Sequence, residues 1–248
     1  MRLRLGPAAG WHADTVAERV PTDPEGRSRE LPRSGSESFA SQDSNEFGRG
    51  ISFLDAIYGF AATLLIANVD APPAAAWESM DALAASSVPA QALGFALSFT
   101  VIAVFWRVNV RLTRRLRGLD AVTTFINMVG AGLVILIAYT TQGISDPSTA
   151  DLALPTAFYA ANIAAVALCQ TAMFQVARAR GLERTPSSSR DNLLDAAGAL
   201  VTPVVFLVSI PIALTWGASA GKWTWAAAIV LGPLVGVLVA RAGRRVKV

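Results

Sequence analysis

Six apolar blocks constrain this chain more than anything else in its sequence. Each is about 17–24 residues long, the length that crosses the hydrocarbon core of a bilayer as a helix. The spans read from them are 51–69, 88–106, 121–141, 152–176, 196–216 and 223–239. They are helices because a backbone facing lipid has to satisfy its own hydrogen bonds, and the short alternating segments of a β-barrel are missing. Composition agrees: 53% of the residues are hydrophobic and 16% charged, where a soluble domain carries about 25% charged residues. A soluble enzyme, a disordered chain and a secreted disulfide scaffold are all excluded. The single Cys169 has no intrachain partner, and with one histidine, His12, the chain is poorly equipped for a zinc, haem or iron–sulfur site. The expectation is an all-α integral membrane protein with no cofactor and no enzymatic activity.

Charge sets the orientation. All but one of the 21 Lys and Arg residues lie in the N-terminal tail, the loop after span two, the loop after span four, or the C-terminus. The opposite loops hold only Lys222, with the acids Asp70, Glu78, Asp81, Asp146 and Asp151. The positive-inside rule then puts both termini in the cytoplasm with six transmembrane helices between them. The basic pI of about 9.5 reflects these loops and not a nucleic-acid partner. Residues 1–48, rich in Arg, acids, Ser, Gly and Pro, read as a disordered cytoplasmic tail. Residues 49–240 form the six-helix domain, and 241–248 a basic cytoplasmic C-terminus suited to anionic lipid. Pro155 falls in the first turn of span four, where a missing N–H costs little, whereas Pro203, Pro211 and Pro233 are interior and predict bends. Trp106, Trp216, Trp223 and Trp225 stand at span ends, as interfacial aromatics do.

The outer loops are short, so function should reside in the helices. A charge inside a membrane helix is costly and marks a functional hypothesis. Asp55, about one turn into span one, is the clearest case. At about 100° per residue, it points roughly 140° away from Phe60, which shares a stripe with Leu64 and Ala67, continued by Phe53 and Ile57. Candidate partners for Asp55 are therefore Arg49, Trp106 and Asn127. Asp120, Asp191 and Asp195 sit at span boundaries and read as helix N-terminal stabilisers. No carbonyl-type selectivity filter, Arg-rich voltage-sensor helix or intramembrane carboxylate relay is present.

The run Arg49-Gly-Ile-Ser-Phe53-Leu-Asp55, continued through Phe60 to Thr63-Leu64-Leu65, resembles the first-helix signature of the transmembrane protein 175 family of potassium channels. Ser98-Phe99, Ile102 and Phe105-Trp106 resemble the second-helix pattern, Asp120 and Asn127 match polar positions at the third helix, and Ser209-Ile210-Pro211 fits the fifth. The resemblance implies one six-helix unit per chain, four chains per channel, and a central pore lined by the first helix of each. It places the pore constriction at Phe60, Leu64 and Ala67, and a structural polar network at Arg49, Asp55, Trp106 and Asn127. Departures from the pattern are Leu54 for a Ser, Phe60 for an Ile, Asn68 for an acid, and Asn109-Val110 for a pair of histidines.

The expected function is a potassium-permeable ion channel in the plasma membrane. Its partners are other copies of itself as a homotetramer, the lipid bilayer and permeant K+, with no nucleic acid. A secondary transporter and a non-conducting membrane scaffold or sensor are the alternatives.

Overall fold

The computed structural model describes residues 39–226. The tail up to residue 38, His12, the basic C-terminus and most of the sixth expected span, with Pro233, lie outside the described residues. Six α-helices follow one another: α1 (Asn45–Leu64), α2 (Met80–Ala85), α3 (Val88–Arg114), α4 (Ala121–Ser145), α5 (Ala153–Ala179) and α6 (Ser189–Trp216). Residues 218–226 are helical again. Two-residue strands, β1 (Ala40–Ser41) and β2 (Gly118–Leu119), pair antiparallel. Five of these helices, α1 with its 3₁₀ extension and α3 to α6, are long and apolar enough to cross a membrane. The chain is an all-α membrane protein.

Two helices start earlier than hydropathy suggests, because caps and not apolar residues set their ends. α1 begins at Asn45, where Ser44 Oγ accepts from the Phe47 amide at 3.1 Å, so residues 45–48 of the expected tail form its first turn. α6 begins at Ser189, a full two turns before the apolar block, because Ser188 Oγ accepts from the Asp191 amide. Pro203 and Pro211 lie inside α6, which runs unbroken through both.

α5 is the most buried span. Its alanines, Ala157, Ala160, Ala164 and Ala167, let neighbouring backbones approach closely, as small residues do in membrane bundles. Around it Tyr159, Ile163 and Val166 pack with Ile102 and Phe105 of α3, Val134 and Ile137 of α4, and Tyr58, Ala61 and Leu65 from the first span. Trp225 joins this core and is not interfacial. It is 7% exposed, lies against Tyr159 and Phe206, and donates from Nε1 to Ser209 Oγ at 2.9 Å. With its one donor satisfied, the indole buries at no polar cost.

The two ends of the bundle differ. At one end β1 pairs with β2, Leu116 bridges to Glu183, and the α3–α4 and α5–α6 connections meet. Gly118 is required there, because a Cβ would collide with the Ala40 carbonyl and the Phe39 ring. All arginines among the described residues belong to this end. At the other end Lys222 Nζ donates to the Ile144 and Ala150 carbonyls at 3.1 and 2.8 Å.

Candidate functional site

α1 has two faces. Leu54, Tyr58, Ala61 and Leu65 are buried, the last three packed against α3, α4 and α5. Phe53, Phe60, Leu64 and Ala67 are uncovered, with Phe60 64% and Leu64 37% exposed. The hydroxyl of Thr63, on the same open side, donates back to the Phe60 carbonyl at 2.8 Å. The face is therefore an apolar strip with no free donor.

The strip does not follow uniform helix geometry. Residues Leu65–Asn68 form a 3₁₀ turn. At about 100° per residue in the α-helix, Leu64 lies roughly 40° around from Phe60. At about 120° per residue in the 3₁₀ turn, Ala67 comes back to the bearing of Leu64. Continued α geometry would have left Ala67 within about 20° of Phe60 on its other side. Asn68 ends this turn with Nδ2 donating to the Ala138 carbonyl of α4 at 2.6 Å. Beyond it the Asp70 amide and carboxylate are both held by the Gln91 side chain of α3. These contacts fix the far end of the strip.

Of the expected polar network, the structure joins Asp55 to Trp106. The indole Nε1 donates to Asp55 Oδ1 at 2.9 Å and ties α1 to α3. Both residues border an apolar groove of about 340 Å³ between the two helices, with Tyr58, Gly59, Ala62 and Phe99. Arg49 is not brought to Asp55. It is exposed, and six residues of α-helix place the two side chains about 120° apart. Asn127 is also elsewhere. It is buried between α4 and α3, where its Oδ1 accepts from Asn109 Nδ2 at 2.6 Å, and its own Nδ2 has no partner among the described residues.

Two polar residues were missed at the sequence level. Gln170 of α5 donates from Nε2 to the Tyr58 hydroxyl at 3.1 Å and to the Phe105 carbonyl at 2.9 Å, so one amide ties α1 and α3 to the central helix. Asn109 was noted only as a departure from a pattern. An amide within an otherwise apolar run is the sequence signal that marks both.

At the basic end an ion-pair cluster clamps the connections. Asp120 caps α4 in a reciprocal capping box with Thr123 and pairs with Arg180. Arg115 pairs with Asp195 at 2.7 Å and Glu183 at 3.6 Å, and lies over the Phe174 ring. Burial works against the charge of Asp120, but hydrogen bonds from Thr123 and the Arg180 guanidinium outweigh it and hold the carboxyl below its ordinary range. Glu183 behaves alike: burial opposes its charge, and Ser187 with Arg178 and Arg115 overcomes that.

Residues 49–137, which run from the first turns of α1 through α3 into α4, match the sequence model of a family described as endosomal/lysosomal potassium channel TMEM175. This segment carries the sequence pattern of the TMEM175 family. None of the curated proteins compared with it matches. The fold of the chain is similar to the crystal structure of a lysosomal potassium-selective channel TMEM175 homolog from Chamaesiphon minutus. The TM-score is 0.61 at 18% identity, over 79% of this chain and 99% of that one. Within the TMEM175 match lie the uncovered strip of α1, the Asp55–Trp106 bond and the Asn109–Asn127 pair. The Ser-to-Leu departure at Leu54 falls on the buried face of α1, where a leucine packs and a hydroxyl would need a partner.

Proposed function

We propose that the chain is the subunit of a potassium-permeable channel, in which four copies bring their first helices together around a central pore. The observation that carries this reading is the uncovered apolar strip of α1, set opposite a buried face on the helix that holds the family signature. In the assembly Phe60 forms the main constriction, Leu64 the next ring, and Ala67 a wider point in line with Leu64. The Asp55–Trp106 bond holds α1 against α3, and Asn127 with Asn109 stiffens the α3–α4 contact behind it. Arg49 stands at the pore helix's entry and adds positive charge there.

A ring of phenyl groups offers no oxygen ligands, so an ion crossing it gives up water without replacement. Selectivity then rests on pore radius and partial dehydration, and gating on wetting of the ring. The separation of arginines at one end from Lys222 at the other supports a topology of six spans with both termini cytoplasmic, and on this reading the channel lies in the plasma membrane. No catalysis and no cofactor are needed.

The test is current through planar bilayers containing the full chain. Unitary steps with a potassium-biased reversal potential are expected, with a native mass of four chains. Phe60→Ala should raise the current and blur the preference over sodium, and Phe60→Asn should wet the ring by polarity. Saturable flux without unitary steps would make the chain a carrier, and silence would make it a scaffold.

A further inference from the structure

The exposed face of α3 changes character along its length. Leu93, Leu97 and Val104 follow one another on a single stripe, at steps that keep side chains on one side of a helix, and Arg107, Arg111 and Arg114 continue the same stripe. All six are exposed, Leu93 by 72%. Thr100 lies between the leucines and Val104, and its hydroxyl is spent on the Ala96 carbonyl at 2.8 Å. The stripe therefore offers hydrocarbon no free proton until Arg107.

Six arginines of this end, three on the α3 stripe and three beside it, contrast in their partners. Arg115, Arg178 and Arg180 are held by Glu183, Asp195 and Asp120. Arg107, Arg111 and Arg114 make no ion pair or hydrogen bond among the described residues. The dimensions are informative too. From Leu93 to Val104 the helix rises about 16 Å, close to the roughly 15 Å of one leaflet's hydrocarbon. The next three turns carry the guanidinium groups through the headgroup layer, with arginine stems long enough to reach back toward it.

We propose that this stripe is a binding site for an anionic phospholipid, with its acyl chains along Leu93, Leu97 and Val104 and its phosphodiester headgroup against Arg107, Arg111 and Arg114. A second copy of the chain is the other conceivable occupant. It would have to bury three guanidinium groups, which is costly unless each meets an acid, whereas a phosphodiester supplies charge and paired acceptor oxygens together. The site does not depend on the chain being a channel.

Native mass spectrometry of the full chain, loaded with phosphatidylglycerol or with phosphatidylcholine, tests it. Wild type should retain phosphatidylglycerol under conditions that strip phosphatidylcholine. Each arginine should contribute about fivefold, so the R107Q/R111Q/R114Q variant should bind phosphatidylglycerol on the order of 100-fold more weakly. The R107K/R111K/R114K variant keeps the charge and membrane insertion and should retain most of the binding. If the glutamine variant does not insert, wild type alone decides: phosphatidylglycerol retention should fall at least tenfold between low and high salt. Equal retention of both lipids, retention unaffected by the glutamines, or retention indifferent to salt would overturn the proposal. Loss of the oligomeric mass with lipid binding intact would also overturn it, by seating a second copy on the stripe.

Discussion

The two faces of α1 are made of the same kinds of residue and have opposite structural fates. Leu54, Tyr58, Ala61 and Leu65 are enclosed, and Phe53, Phe60, Leu64 and Ala67 are bare. In water the second set would be a liability. In a bilayer apolar exposure carries no penalty, so hydropathy settles that the helix inserts and packing alone settles which side is committed to the fold. The side left bare is free to be shaped by function.

The largest expected effect comes from crossing that boundary. Leu65 is fully buried, and Leu65→Ala should cost about 2–5 kcal/mol of stability while leaving the current through each surviving channel unchanged. Phe60→Ala, on the bare side, should do the reverse, with thermal stability within about 0.5 kcal/mol of wild type and current raised. Thermal unfolding in detergent and bilayer recording on the two variants make the comparison. A strong loss of stability in Phe60→Ala would mean that the bare face is covered by packing that the isolated chain does not contain.

Much of this was legible in the sequence, for reasons that can be located. The spans α3, α4 and α5 stand out because lipid demands long apolar runs, and the two ends of the bundle separate by charge. The opposition of Asp55 and Phe60 followed from helix periodicity. What escaped depended on local chemistry that hydropathy does not weigh. Ser44 and Ser188 start helices among polar residues, and a window average cannot see a cap. Trp225 is buried because Ser209 happens to accept its proton, and Asn127 turned to Asn109 because that amide is one helix away. Arg49 and Asp55 share a motif but not a side of the helix.

The bond that ties α1 to α3 should show the next largest effect. Trp106 donates to Asp55 from α3, and Trp106→Phe should cost about 1–2 kcal/mol, at the low end for a hydrogen bond to a charged acceptor because the bond is exposed. Asp55→Ala should cost a similar amount, and the double variant little more than either single change. Additive losses in that cycle would show that the two side chains act separately. A variant that folds normally yet changes only ion preference would move Asp55 from the scaffold to the permeation path.

A smaller effect is expected where the enclosed side is anchored. β1, just before α1, pairs with β2, and β2 ends at Leu119, directly before the α4 cap Asp120. Asp120→Ala removes a helix cap, worth about 1 kcal/mol, together with the bond to Arg180. Because the folded carboxyls of Asp120 and Glu183 titrate below their ordinary range, their contribution is complete above the unfolded value of about 4. It is lost as pH falls through the lower folded values. Thermal midpoints should thus stay level from neutral pH to about 4 and drop below it, with a shallower drop in Asp120→Asn. A steep loss already near pH 6 would assign the acid sensitivity to other groups.

The smallest effect tests the geometry of the bare face itself. The 3₁₀ turn at Leu65–Asn68 sets Ala67 on the bearing of Leu64, about 6 Å further along at a rise of about 2 Å per residue. Under α geometry it would lie nearer the bearing of Phe60 and only about 4.5 Å from Leu64. Ala67→Leu should therefore deepen the Leu64 ring, lowering the current modestly and adding to the effect of Leu64→Ala in reverse. Stability should change by less than about 0.5 kcal/mol, since Ala67 is exposed. Coupling measured between positions 67 and 64, and between 67 and 60, separates the two geometries. Stronger coupling to Leu64 is the outcome that the 3₁₀ turn requires, and stronger coupling to Phe60 would restore a continuous α-helical strip.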